Sequence, residues 1–323
     1  MTTYKEIYGT NVEVLSSDPT NPVEGQIWYN STSQTLKGYA LVAGSWATAG
    51  PMNTARRNLT GAGIQTAALA FGGANGPRTG ATESYNGTAW TTSPASLNTA
   101  REYLAGAGTN TAALAFGGET APSPAVGNTE SYNGTSWTEL NDLNTGRSYI
   151  AGCGATNTAA LAFGGYTTAY VANTETWNGT SWTEVNDLNT ARETAGAGTN
   201  TAALAFGGYS TAPTGVTESW NGTSWTEVND LNTVRSALAG AGTNTAALAF
   251  GGLTTGPSIL KNTESWNGTS WTELNDLNTQ RFYLAGDGTN TAALAFGGAT
   301  PPVVASTEEW SGPAVQTVNI TVS

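Results

Sequence analysis

The chain has 323 residues, a net charge of −12 with three lysines, 38% apolar and 11% charged residues, one cysteine and no histidine. Acidity argues against nucleic-acid partners, and the lack of Lys/Arg clusters argues against anionic membrane surfaces. No apolar run reaches the roughly 20 residues of a membrane span, and the start MTTYKEIYGT reads without a secretory leader.

Residues 1–25 stand outside every repeat, and the turn-rich stretch Ser16-Ser17-Asp18-Pro19-Thr20-Asn21-Pro22 predicts an extended N-terminal arm. Residues 26–30 and 36–40 have strand character. Residues 45–56, with Ser45-Trp46-Ala47 and Asn53-Thr54-Ala55-Arg56, match the end of a repeat unit. That strand can complete the last of six sheets. Alternatively, it forms a divergent seventh sheet with the two strands before it, and their short connections favour seven. The expected division is an arm over 1–25 and a propeller over 26–323. Within the propeller, 26–56 is the divergent part, 57–310 holds six regular repeats and 311–323 closes the last sheet.

The block TNTAALAFGG occurs unchanged at 109–118, 156–165, 199–208, 243–252 and 289–298, with a variant, IQTAALAFGG, at 64–73. Its spacing of 43 to 47 residues marks a repeat architecture. Each unit predicts four strands, a to d. In one copy these are 103–106 after an arginine, the apolar run 112–116, 130–132, and 136–140. A five-residue apolar run bounded by Gly and Asn predicts a strand buried on both faces. Asn-Gly at Asn86, Asn133, Asn178, Asn221 and Asn267 predicts a tight c–d hairpin with positive φ at both residues. Asp-Leu-Asn-Thr turns (Asp142, Asp187, Asp230, Asp276) lead into the next unit. Four short strands per period predict the blade of an all-β propeller, with Phe71, Phe116, Phe163, Phe206, Phe250 and Phe296 filling the space between blades.

The Gly-Gly after strand b, the aromatic in strand c and the Trp in strand d resemble kelch repeats over residues 46–310. This resemblance implies a kelch-like β-propeller, and it brings to mind galactose-oxidase-like enzymes. Their copper site needs histidine ligands, which this chain lacks. The same absence removes Ser-His-Asp and Cys-His nucleophiles. Cys153 takes the place of an alanine and reads as a small buried side chain. No cofactor or metal is expected. The Asp-x-Asn turns supply few carboxylates for Ca²⁺. Asn-Gly-Thr is a glycosylation pattern that the hairpin already explains.

Glu83, Glu130, Glu175, Glu218, Glu264 and Glu308 recur in strand c, and Arg56, Arg101, Arg147, Arg192, Arg235 and Arg281 precede strand a. Glycoside hydrolysis needs two acids in unlike environments. Six equivalent acids predict structural ion pairs or backbone contacts instead. The units differ mainly in the b–c loops (74–81, 119–128, 166–173, 209–216, 253–262, 299–306) and at the start of strand a. Both lie on one face of an up-and-down blade, which predicts a recognition surface. Tyr103, Tyr149, Tyr166, Tyr170, Tyr209, Phe282 and Tyr283 are its candidate binding residues, aromatics suited to stacking on sugars.

The segment from Asp18-Pro19-Thr20-Asn21-Pro22-Val23-Glu24-Gly25-Gln26-Ile27-Trp28-Tyr29-Asn30 to Thr35-Leu36-Lys37-Gly38 resembles one found in structural proteins of tailed, particularly marine, bacteriophages. The resemblance implies a virion protein, assembled in the host cytoplasm and exposed on the particle in several copies. The expected role is a non-enzymatic tail-fibre or receptor-binding propeller for a host surface glycan or protein. Its arm would bind other virion proteins. The alternatives are a capsid-surface decoration and, more remotely, a carboxylate-dependent glycan-degrading enzyme.

Overall fold

The computed structural model describes residues 12–122, 125–256 and 258–321. Among these there is no helix, and therefore none long and apolar enough to cross a membrane. The strands form seven four-stranded sheets, giving an all-β, propeller-like architecture. They belong to two compact units, 45–311 and a second made of residues up to 44 with those from 312 onward.

In the larger unit six sheets form a closed cycle. Blade 1 runs Thr60–Ile64, Ala67–Phe71, Ala81–Tyr85 and Trp90–Ser96, each strand antiparallel to the next. The inner strands of blades 2 to 6 are Ala105–Thr109, Ala151–Thr156, Glu193–Thr199, Ala239–Gly242 and Ala285–Gly288. Each neighbours the inner strand of the next blade, and the last returns to the first. Ser45–Ala49 supplies the outer strand of blade 6 by pairing with Thr307–Ser311. Of the two placements open to this strand, completion of the last repeat's sheet is the one found, and it takes no part in the sheet of the two strands before it. The remaining sheet, in the smaller unit, is Glu13–Leu15, Ile27–Asn30, Thr35–Val42 and Ala314–Asn319. The unit boundaries consequently fall at 44/45 and 311/312 rather than at residue 25.

Strand b of every blade is the apolar run of the repeat, and its Ala-Leu-Ala-Phe is wholly buried. Alternate side chains serve opposite blade faces. Each apolar cluster therefore joins one face of a blade to the opposite face of the next. Fully burying a Leu or Phe in this way is worth about 1.5–3 kcal/mol. Inner-strand glycines permit the close approach. A Cβ on Gly196 would lie 2.5 Å from the Phe163 ring of the preceding blade.

Polar bonds repeat around the same cycle. The strand-d Trp of each blade donates through Nε1 to a Thr in strand c of the blade before, at 2.9–3.2 Å. The bond from Trp90 to Thr307 closes the ring. The second Gly of each Gly-Gly pair donates to the carbonyl of the next blade's arginine at 2.9 Å, from Gly73 to Arg101 through to Gly298 to Arg56. Both glycines in Gly207-Gly208 have positive φ (62° and 108°), and a Cβ added at either would collide with a carbonyl oxygen, that of Arg235 or of Glu193, so a side chain fits at neither.

Two local expectations change. Strand a begins at Ala105, not 103, because Tyr103 has a left-handed φ of 56°. The c–d hairpins have positive φ only at glycine, for example 92° at Gly134. Asn133 instead accepts the Thr135 and Ser136 N–H groups on its side-chain oxygen, capping a four-residue loop.

The expected N-terminal arm is also part of a fold where it is described; its residues 1–11 lie outside the described residues. Asp18 accepts hydrogen bonds from Trp28 Nε1 (3.0 Å), Asn30 Nδ2 (2.7 Å) and Lys37 Nζ (2.7 Å). The Lys37 ammonium and the two other donors hold its carboxyl down at about 2. This one side chain ties residues 16–22 to the strand pair behind them, with Glu13–Leu15 running parallel to Ile27–Asn30.

Candidate functional site

The recurrent Arg and Glu residues come together within each blade: Arg56–Glu83, Arg101–Glu130, Arg147–Glu175, Arg192–Glu218, Arg235–Glu264 and Arg281–Glu308. All are buried. Each carboxylate also accepts the N–H groups of the Asn-Thr entering its blade, for example Asn232 (2.7 Å) and Thr233 (3.2 Å) at Glu264. The guanidinium groups donate further to strand and loop carbonyls, as Arg235 does to Gly251, Asn262 and Ala249. Desolvation pulls Arg281 down to about 10 despite Glu308. The carboxylates are filled by donors of the chain itself, whereas Nε of Arg56, Arg101, Arg147, Arg235 and Arg281 is buried without a hydrogen-bond partner. Asp142, Asp187 and Asp230 accept the first N–H of a strand c, and among the described residues no group of three or more His, Cys, Asp or Glu converges on a metal position.

The d–a connections and b–c loops meet on one face. The residue after each arginine bridges the residue after Gly-Gly in five blades, including Arg57 to Ala74, Glu102 to Glu119, Ser148 to Tyr166 and Phe282 to Ala299. Arg78 extends the contact between blades, pairing with Glu102 at 3.0 Å and with Glu119.

At the centre of this face the chain is strained. Asn58, Tyr103, Tyr149, Ala237 and Tyr283, each two residues after its arginine, have φ of 51–57°. A left-handed non-glycine costs about 1 kcal/mol, and such residues cluster at functional sites. Their backbones link blade to blade, Tyr103 N to Asn58 O (2.9 Å), Asn58 N to Tyr283 O (3.0 Å) and Tyr283 N to Ala237 O (2.9 Å). The phenol rings gather above, with Tyr103 stacked on Tyr149 at 3.8 Å and edge-on to Tyr283 at 5.5 Å.

Blade 4 breaks this pattern. Its inner strand starts two residues early, at Glu193, with a register shift between Glu193 and Ala195. Thr194 is therefore not left-handed, and Ala237 N bonds to Glu193 Oε1 at 3.3 Å instead of to a carbonyl. Glu193 is 8% exposed. Burial pushes its carboxyl up to about 7, opposed only by that one backbone donor.

Glu193 forms part of a cavity of about 550 Å³ that Tyr149, Tyr170, Tyr209 and Tyr283 also line. Tyr170 lies 5.7 Å from Tyr209, tilted by 52°, and packs edge-on against Tyr166. Phe282 flanks Tyr283 at 5.2 Å. Burial raises the Tyr149 and Tyr283 phenols and pushes Tyr170 up to about 12. Below, the inner strands enclose a channel of about 250 Å³ walled by Gly and Ala, with Asp287 where other blades carry Ala or Cys153. Burial raises both the Cys153 thiol, to about 12, and the Asp287 carboxyl.

All seven aromatic candidates thus lie in this neighbourhood. Glu193 was not nominated from the sequence. The signal that could have found it is a deletion: two residues separate Arg192 from the Ala-Gly-Ala-Gly of blade 4, where the other units have three before the inner strand. No family model matches the chain, and no curated protein matches it significantly.

Proposed function

We propose that the protein is a non-enzymatic recognition propeller of a tailed-phage particle, acting as a tail-fibre or receptor-binding component. The observation that carries recognition is the convergence of the variable loops and the strained d–a residues on one tyrosine-lined cavity. Everything that repeats identically is consumed by packing, ion pairs and backbone bonds. Aromatic walls with a few polar groups suit a small ligand such as a surface glycan terminus. Among the described residues the cavity has a single acidic one, Glu193, whereas glycoside hydrolysis needs two. The virion assignment rests on the resemblance of residues 18–38, which makes the smaller unit the candidate attachment to other virion proteins.

The test is to label the purified protein, measure its binding to host cells and to immobilised surface glycans, and repeat with Tyr170→Ala/Tyr209→Ala. Saturable binding lost in the double variant supports the reading. Binding to assembled particles with indifference to host surfaces would identify a decoration protein instead. Glycan cleavage abolished by Glu193→Gln would establish the enzyme.

A further inference from the structure

We infer that the tyrosine-lined cavity binds an organic cation, the ammonium or methylated ammonium group of a small ligand, against the carboxylate of Glu193. This deepens the recognition reading and rests on it. Four phenol rings border the cavity. Tyr170 with Tyr209, and Tyr149 with Tyr283 at 6.3 Å and 56°, are tilted rather than stacked, so these pairs do not cover one another's faces, while Tyr103 covers one face of Tyr149. An aromatic face attracts a cation through its quadrupole, and most strongly where water is excluded.

Glu193 supplies the complementary charge. It is nine-tenths buried and has one long hydrogen bond from a backbone N–H. Among the described residues no Lys or Arg lines the cavity; its other polar side chains are the hydroxyls of Thr211, Ser236, Thr254 and Thr255. A buried carboxylate without a counter-ion is costly, and a bound cation removes that cost. Every buried strand-c glutamate, by contrast, already has its arginine. A neutral sugar could stack on the same rings but would leave Glu193 uncompensated. The net charge of −12 adds a long-range field in the same sense. The volume, about 550 Å³, lies within the range of small-ligand sites.

The charged and titratable groups around Glu193 are Tyr149, Tyr170, Tyr209 and Tyr283 on the cavity wall. Arg57 acts on Tyr283 from outside that lining, and Tyr166 acts on Tyr170. Glu193, pushed up to about 7, is the group among them that changes charge near neutrality.

The probes are choline and glucosamine, paired with 3,3-dimethylbutanol and glucose as neutral isosteres, titrated calorimetrically into the full chain. At least one ammonium compound should bind, with its neutral isostere at least tenfold weaker. The preference between choline and glucosamine distinguishes a lipid-like headgroup from an amino sugar. Choline, whose charge is fixed, should bind about fivefold or more weakly at pH 6 than at pH 8, following Glu193. Glu193→Gln keeps an acceptor for Ala237 N and should lose at least tenfold in affinity, as should Tyr209→Leu, with melting temperatures showing that both variants fold. Equal binding of a neutral isostere, wild-type affinity in Glu193→Gln, or no ammonium binding at all overturns the inference. A neutral glycan that binds the loop face while no cation does sinks the cation and leaves recognition standing. No saturable binding to cells, glycans or cations sinks both.

Discussion

Two buried glutamates of blade 4 have opposite surroundings. Glu218 meets Arg192, the Asn189 and Thr190 N–H groups and the Asn189 side chain. Glu193 meets one N–H at 3.3 Å. The arginine and the two N–H groups occur six times around the ring, the Asn side chain joining them at Glu130, Glu175, Glu218 and Glu264, and the surroundings of Glu193 once. A counter-ion therefore separates scaffold from site better than burial does. Where a buried carboxylate faces a guanidinium, the pair holds the blade together; where one faces a cavity without such a partner, a ligand can supply the charge.

The contrast breaks hardest at a scaffold pair. Glu130→Ala leaves Arg101 buried and unpaired, which should cost about 3–5 kcal/mol. Chemical denaturation would read this, and an effect below about 1 kcal/mol would mean that the ring of pairs is dispensable.

Next in size is the pH dependence set by Glu193. Its pKa is raised from 4.5 to about 7 on folding, so the folded chain keeps a proton that the unfolded chain gives up. Stability should be greatest below about 4.5, fall as pH rises towards 7, and level off above, a loss on the order of 3 kcal/mol. Glu193→Gln should flatten that window in melting experiments across pH. An unchanged slope would assign the dependence elsewhere.

Asp287 sharpens the comparison from the other side. Its Oδ2 is buried without a hydrogen-bond partner, at a position that is alanine in four other blades. Its raised pKa likewise penalises the folded state as pH climbs above the usual carboxylate range. Asp287→Ala should stabilise the protein at neutral pH by about 1–3 kcal/mol, and by less in acid. A destabilised variant would show that the carboxyl is satisfied within the channel.

The smallest stability effect belongs to the cavity wall. Tyr209→Leu should change stability by about 0.5 kcal/mol or less while removing ligand affinity. A large loss of stability would turn the wall into scaffold.

Much of this was legible in the sequence. The c-strand Glu and the Arg before strand a recur in fixed places, so whatever they do is done six times. The repetition identified them as structural before their partners were known. The face carrying Tyr103, Tyr149, Tyr170, Tyr209 and Tyr283 was legible too, because strand order in an up-and-down blade dictates which loops share a side. Glu193 was not legible. The sequence of blade 4 lacks one residue between Arg192 and Ala195, but the direction in which that turns Glu193 depends on the two-residue extension and register shift of one strand.

The sequence by itself determined the strands and their order within a blade. Those follow from short-range chemistry: alternating burial, Asn-Gly loops, and a Gly-Gly that no larger residue can replace. Only the tertiary structure decided how the cycle closes and where the open carboxylate lies. Ser45–Ala49 pairs with Thr307–Ser311, some 260 residues away, because six faces must each find a neighbour. The position of Glu193 is set by the pairing of its backbone with Tyr209 across a register shift, and its side-chain oxygen then accepts the Ala237 N–H of the next blade.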